Sequence, residues 1–260
     1  MGRGRNPAGR GGRGRLRAAG PRRPIRRPAD LELLTEPEAP LSPARIFLLS
    51  PASLTGKRAR ILLRPEARFD LARRLRTRPG APLSEVFTFL SGLYFRGKIA
   101  YARAFAAPPA GVSGIWIITP NEGLLPAETP VTRERLERFA GVDIDPGEPR
   151  YRRPLEQDAR RLAGAVAPGT EFVLLGSVAS GKYIEPLLGI LVPLLFPPDF
   201  TGRGDMSRGG LMLRHVRENR ELRYGSVQEF PRHGPRPPRL TRRGFHPTTG
   251  PASPRAPGER

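Results

Sequence analysis

The sequence predicts a single α/β domain with a short, mostly parallel sheet and helices on both faces. Three runs, at residues 46–50, 114–120 and 171–177, are apolar at successive positions, as buried strands of a covered parallel sheet are. Helical patterns separate these runs, and strands that alternate with helices favour a three-layer, Rossmann-like domain. Arginine-rich segments flank the domain at both ends.

Weaker patterns complete the predicted fold. A fourth strand is predicted at 194–197 and an edge strand at 221–227. Helices are predicted over residues 66–77, 83–105, 132–140, 154–166, 182–191 and 205–217. The longest carries apolar residues at helical spacing, namely Val86, Leu90, Leu93, Tyr94, Tyr101 and Phe105. Ser84 suits its N-cap, whereas Gly92 and Gly97 either weaken it or allow another element to pack closely.

We expect a folded domain over residues 45–228 and disordered segments over 1–44 and 229–260. Residues 1–28 contain ten arginines and no acid, and residues 229–260 contain seven arginines against two glutamates. These two segments therefore carry +15 of the net charge of +21. The central part of the chain is only mildly basic.

Two explanations of the basic tails stay open. Arginine-rich segments bind nucleic-acid backbones through charge, and this binding is steeply salt-dependent. However, only three of the 45 basic residues are lysines. This bias is also what a GC-rich genome or a misplaced start codon would produce.

The composition excludes several classes of site. The chain has no cysteine, which excludes disulfides, thiolate metal sites and a cysteine nucleophile. No apolar run approaches the roughly 18 residues of a membrane span, and the basic N-terminus lacks the apolar region of a secretory signal. We expect a cytoplasmic bacterial protein.

Four glycine-containing loops are the predicted ligand sites: residues 50–58, 119–126, 176–183 and 201–210. The first three follow the three apolar runs, and ligands of open parallel sheets bind beyond the carboxyl ends of the strands. Glycine lets backbone N–H groups approach an anion, and a helix N-terminus adds positive potential.

The loop at 176–183 contains part of a P-loop, since Gly176, Gly181 and Lys182 satisfy G-x-x-x-x-G-K. Tyr183 stands where the full motif needs Ser or Thr for magnesium, so nucleotide hydrolysis is the weaker alternative. Anion binding by Lys182 and its neighbours is the stronger functional interpretation. The alternative, structural interpretation is a tight turn that carries a surface lysine. The predicted anion-binding residues are Gly176, Ser177, Ser180, Gly181, Lys182, Arg203 and Arg208.

The loop at 201–210 supplies the two arginines of that set. Two guanidinium groups beside a helix N-terminus suit a phosphate or carboxylate. Asp205 has two possible roles, as an acid–base group or as the N-cap of the following helix.

Asp143 and Asp145 are further candidates for acid–base chemistry, because alternation puts both on one side of an extended stretch. Glu122, after a predicted strand, is a fourth candidate besides Asp205. Solvated surface carboxylates are the simpler alternative for these residues. No His, Asp or Glu cluster has zinc-ligand spacing, so we predict no metal site.

Residues 93–102 (LYFRGKIAYA) and 117–126 (IITPNEGLLP) resemble segments of small bacterial α/β proteins around the YaaA peroxide-stress group. In that group a Leu-Tyr helix start precedes a strand that ends in Ser-x-x-Tyr-Gly-Leu-Leu-x-Pro. This chain has Asn121 and Glu122 before Gly123, with no aromatic residue there. The resemblance, over about 90 residues to Tyr183, implies a Rossmann-like core and an association with nucleic acid or nucleotides. It transfers no catalytic residue.

Three functions follow from these patterns. The first is a phosphate-, nucleotide- or nucleic-acid-binding α/β domain that uses the glycine-containing loops. The second is a metal-independent enzyme acting on a base, nucleoside or phosphoryl compound. The third is an RNA- or DNA-binding scaffold that acts through its tails. The sequence identifies no cofactor, reaction or oligomeric state.

Overall fold

Eight strands and seven α-helices occupy residues 43–235 and 237, which are the residues that this computed structural model describes. The strands are β1 (Arg45–Leu49), β2 (Ala81–Pro82), β3 (Ile115–Ile118), β4 (Leu124–Pro126), β5 (Pro130–Val131), β6 (Glu171–Leu175), β7 (Leu194–Phe196) and β8 (Gly225–Ser226). The helices are α1 (Lys57–Leu62), α2 (Asp70–Arg74), α3 (Leu83–Ser91), α4 (Leu93–Phe105), α5 (Arg133–Ala140), α6 (Pro149–Gly164) and α7 (Asp205–Arg217).

The main sheet has six strands in the order β4-β3-β1-β6-β7-β8. The strand β1 pairs in parallel with β3 and β6, and β6 pairs in parallel with β7. The edge strands β4 and β8 are antiparallel to their neighbours. Four predicted strands are therefore confirmed, and the edge strand predicted at 221–227 is present only as Gly225–Ser226. Strand β4 and the short β2–β5 ribbon were not predicted.

Apolar side chains of the central strand β1 point alternately to the two faces of the sheet. Phe47 and Leu49 pack with residues of α3, α4 and α7, whereas Ile46 and Leu48 pack with residues of α6. Helices thus cover both faces, which explains why the strands are apolar at successive positions.

The predicted helix at 83–105 is two helices. Gly92 adopts φ 61° between α3 and α4, a backbone conformation that glycine tolerates and that ends a helix. The expected N-cap at Ser84 is wrong, because α3 begins at Leu83 and the Ser84 hydroxyl donates to Glu128 at 3.3 Å.

The predicted helix at 182–191 is also wrong, because the chain forms consecutive turns there. Gly181 and Gly189 have positive φ values of 67° and 83°, and Pro186 lies between them. The apolar spacing that suggested a helix is real, since Ile184, Leu187 and Leu191 are fully buried.

Helices α4 and α7 cross at a close glycine contact. A Cβ atom added to Gly97 would lie 2.8 Å from the carbonyl oxygen of Gly209, and one added to Gly209 would lie 2.6 Å from that of Leu93. The two backbones approach this closely because neither glycine has a side chain. The crossing brings Lys98 of α4 towards Arg208 of α7.

The remaining predicted helices correspond to α2, α5, α6 and α7, and α7 has the predicted bounds. The N-cap of α7 is Gly204, and Asp205 is its first helical residue instead. Residues 229–235, in the segment expected to be disordered, contact the domain: the Thr201 hydroxyl donates to the Pro231 carbonyl at 3.2 Å. The other tail predictions lie outside the described residues. In the described part of the chain, no helix has the length and hydropathy of a membrane span.

Candidate functional site

A cleft of about 830 Å³ lies beyond the carboxyl ends of β1, β3 and β6. Its lining includes residues 51–55 after β1, Pro120 after β3, Lys182 and Tyr183 after β6, and most of residues 142–148 between α5 and α6. The chain runs from β1 to β3 on one side and returns past β1 to β6 on the other. Ligands of open α/β sheets bind at such a reversal.

Three predicted site residues share this lining: Lys182, Asp143 and Asp145. Tyr151 of α6 donates to the Lys182 carbonyl at 2.9 Å and so fixes the turn that carries the lysine. Both aspartates are exposed, and Asp145 Oδ1 accepts the backbone N–H of Gly147 at 2.7 Å. The lining therefore offers a cation and three carboxylates, of which Glu148 is paired with Arg150.

The other residues of the partial P-loop do not line the cleft. Gly176 is buried against Ser50, and a Cβ atom at Gly176 would lie 2.9 Å from that of Ser50. Gly181 adopts a positive φ beside Glu185, and Ser177 and Ser180 lie in the loop between the two glycines. Consecutive turns, not a helix, directly follow this loop in the described chain, so the helix N-terminus that a P-loop needs is missing.

Arg203 and Arg208 also lie outside the cleft lining. The Arg203 Nε donates to the Asp199 carbonyl at 2.9 Å. Arg208 is only 8% exposed, and its Nε donates to the Phe200 carbonyl at 3.1 Å. Each of these contacts ties a guanidinium to the turn before α7, a structural role that the sequence did not indicate.

The carboxylate of Glu122 belongs to an ion pair. Arg135 approaches it through Nε at 2.8 Å and Nη2 at 2.5 Å, and Arg138 lies 3.6 Å away. Glu122 also lies outside the lining of the cleft. This geometry argues against the predicted acid–base role of Glu122.

A second cluster of polar groups lies buried at the end of β1. Ser50 is 3% exposed and Lys98 is 1% exposed. The Lys98 Nζ lies 2.6 Å from the Ser50 hydroxyl oxygen and 2.9 Å from the Ser50 carbonyl oxygen. Ser50 directly precedes Pro51 of the cleft, so this pair adjoins the ligand-sized space.

Aromatic rings surround this lysine. Its Nζ lies 4.0 Å from the ring centroid of Tyr94 and 5.5 Å from that of Phe95. The Tyr94 hydroxyl is buried and has no hydrogen-bond partner among the described residues. Burial raises the pKa of this hydroxyl to about 12, although the nearby Arg208 guanidinium opposes the rise.

Burial lowers the pKa of Lys98 to about 7. The exposed Asp205 carboxylate opposes this shift, and the Arg208 charge adds to it. A large share of the amine is therefore neutral near pH 7 and has a lone pair that accepts a proton. Burial likewise raises the pKa of the Tyr183 hydroxyl. The nearby Tyr94 adds to this increase, and a hydrogen bond with Ser50 opposes it.

The sequence interpretation missed Lys98, although a signal was present. Lys98 lies four residues after Tyr94 and three before Tyr101, so it falls on the apolar stripe of its predicted helix. A lysine on such a stripe is buried when the helix packs against a sheet.

In the described residues, no three His, Asp or Glu side chains are grouped to hold a metal ion. Comparisons with family models, with curated proteins and with solved structures gave no match.

Proposed function

We propose that the protein is a nucleotide-binding α/β domain of Rossmann-like type, with its ligand site in the cleft at the ends of β1, β3 and β6. The observation that carries this proposal is the position of the cleft at the reversal of strand order beside β1. Its volume of about 830 Å³ is in the range of small-molecule sites.

The charges of the lining fit a nucleotide better than a simple anion. Lys182 supplies a cation for phosphate oxygens, and Asp143 and Asp145 accept hydrogen bonds from sugar hydroxyls or base amino groups. A ligand with both an anionic part and hydrogen-bond donors uses both signs of charge. The resemblance of residues 93–102 and 117–126 to the YaaA group implies the same ligand class.

Replacement of Lys182 tests this proposal. We expect nucleotides at millimolar concentration to raise the melting temperature of the protein, and Lys182→Ala to weaken their binding roughly ten- to a hundredfold, or about 1.5–3 kcal/mol. Lys57→Ala is the matched control, since Lys57 is exposed and lies outside the cleft lining. Calorimetric titration of both variants measures the difference.

Two results would count against nucleotide binding in the cleft. One is the absence of any stabilisation by nucleosides, nucleotides or polyphosphates. The other is equal affinity of the Lys182 and Lys57 variants. Binding that disappears only when residues 1–28 and 238–260 are removed would instead support the tails as the nucleic-acid site.

A metal-independent enzyme is the second candidate function. The Ser50–Lys98 hydrogen bond favours it, because this pair joins a hydroxyl to a partly neutral amine beside the cleft.

A further inference from the structure

We propose that Ser50 is a nucleophile and Lys98 its general base, and that together they hydrolyse an ester or amide bond of a ligand in the adjoining cleft. This inference relies on the proposed cleft only for where the ligand binds. The reactivity of Ser50 does not depend on the ligand being a nucleotide.

The geometry of the pair fits this role. A nucleophile and its base must lie within about 2.6–3.2 Å, and Lys98 Nζ lies 2.6 Å from Ser50 Oγ. The Ser50 carbonyl oxygen, 2.9 Å from Nζ, accepts one N–H and thereby orients the amine. In the structure Lys98 Nζ donates to Ser50 Oγ, and the Ser50 hydroxyl donates to the Leu175 carbonyl at 3.5 Å. When the amine is neutral, its lone pair is available, and the Ser50 hydroxyl turns from Leu175 to donate to Lys98 instead.

The surroundings keep the pair desolvated, with one carboxylate and one guanidinium close to it. The groups that face Lys98 are Ser50 of the β1 end, Tyr94 of α4, and Asp205 and Arg208 of α7, with Tyr183 of the loop after β6 beside Ser50. Of the two charged neighbours, Asp205 has the larger effect and raises the Lys98 pKa, whereas Arg208 lowers it; burial outweighs both.

The reaction proceeds in two balanced halves. The Ser50 oxygen attacks the carbonyl carbon while its proton passes to Lys98 Nζ. The C–O or C–N bond then breaks, and the leaving group takes that proton. Water attacks the acyl-Ser50 ester and gives a proton to Lys98; the bond from the carbonyl carbon to Ser50 Oγ then breaks, Lys98 returns that proton to Ser50 Oγ, and the carboxylic acid leaves. No oxidant, metal or cofactor takes part in these steps.

The hydroxyl of Tyr94, whose ring contacts Lys98 Nζ, is the donor that this proposal assigns to the oxyanion. A buried donor without a partner carries a free-energy cost, which a transient negative oxygen would relieve. Burial keeps the Tyr94 hydroxyl protonated, as donation requires, because it raises the pKa to about 12.

The pair lies directly behind the cleft wall. Pro51 follows Ser50 in the chain, and the Tyr183 hydroxyl forms a hydrogen bond with Ser50. Both Pro51 and Tyr183 line the cleft. Tyr183 and Ser50 are both buried, so the proposed reaction requires a ligand to displace the Tyr183 ring before it reaches the Ser50 hydroxyl.

An alkyl fluorophosphonate tests the nucleophile without knowledge of the substrate, since a reactive serine oxygen bonds to phosphorus and fluoride leaves. We expect intact-mass and peptide mapping of the full chain to show a single adduct on Ser50. The adduct should be absent in Ser50→Ala and unchanged in Ser91→Ala, a serine at the end of α3. The labelling rate should rise with pH through about 7, as Lys98 loses its proton.

Lys98→Arg keeps hydrogen-bond donors but never becomes a base, so its labelling should fall at least a hundredfold and lose the inflection near pH 7. Labelling by this variant at the wild-type rate would reduce Lys98 to a structural donor and overturn the proposal. So would the absence of any Ser50 adduct in folded wild-type protein between pH 6 and 9. Nucleotide binding by Ser50→Ala is measured in parallel, so that failure of the cleft and failure of the nucleophile are distinguished.

Discussion

The two lysines beside the sheet occupy regions that differ in almost every physical respect. Lys182 lies in a turn that lines an open cleft, and its Nζ is 5.2 Å from the ring centroid of Tyr183. Lys98 lies inside a helix, is 1% exposed, and touches Ser50 and the Tyr94 ring. A motif draws attention to Lys182, whereas packing gives Lys98 its perturbed pKa.

The region around Lys182 has the properties of a ligand-binding site, whereas the region around Lys98 has those of a reactive site. A partly exposed lysine in a cleft attracts and orients an anion with little cost to folding. A buried lysine must shed its charge or find a partner, and a neutral amine is a base. The protein therefore has one region suited to bind a ligand and an adjoining region suited to react with it.

Of the substitutions that distinguish the two lysine regions, Gly209→Ala should have the largest effect on stability. The new Cβ would lie 2.6 Å from the Leu93 carbonyl oxygen, a backbone atom that moves only if α4 and α7 separate. We expect a loss of about 3 kcal/mol in the free energy of unfolding, or roughly 6–12 °C in melting temperature. Reactivity of Ser50 should fall with it, while affinity at the Lys182 cleft should persist.

Gly164→Ala is the matched control for that substitution. Gly164 ends α6, and nothing lies within 4 Å of a Cβ atom added there. Alanine should stabilise this position by up to about 1 kcal/mol. Equal melting temperatures for the two alanine variants would contradict a tight crossing of α4 and α7.

Lys98→Met should change how stability depends on pH. The pKa of Lys98 falls from 10.5 to about 7 on folding, so between these values the unfolded chain binds more protons than the native one. The contribution of Lys98 to the free energy of unfolding therefore increases with pH above 7, by up to about 1.4 kcal/mol per pH unit, and does not change with pH below 7. Urea unfolding of wild type and variant from pH 6 to 9.5 should show this slope in their difference. Parallel curves would mean that Lys98 keeps its proton in the folded protein.

The sequence predicted the parts of the fold that depend on local pattern. The strands β1, β3 and β6 are continuous apolar runs, because helices cover both faces of the sheet, and such runs are recognisable without a structure. The expected helix at 182–191 failed because Ile184, Leu187 and Leu191 are buried by successive turns that mimic helical spacing. Apolar periodicity shows which residues are buried. The backbone conformation at Gly181 and Gly189 determines that this segment forms turns and not a helix.

The candidate site was predicted in part. Its location beyond the strand ends follows from the parallel sheet, and Lys182, Asp143 and Asp145 do share a cleft. The reactive pair could not be derived, since Ser50 and Lys98 are 48 residues apart and meet only when α4 packs on the end of β1. The apolar stripe of the helix indicates that Lys98 is buried, but its contact with Ser50 depends on tertiary packing.

Titration of Lys98 by NMR tests the central claim most directly, and the chain has only three lysines to assign. With ¹³C-labelled lysine, we predict one Cε resonance with a titration midpoint near pH 7 that is absent from the Lys98→Met variant. A Lys98 resonance with no inflection below pH 9 would contradict the account, because an amine that keeps its proton cannot serve Ser50 as a base.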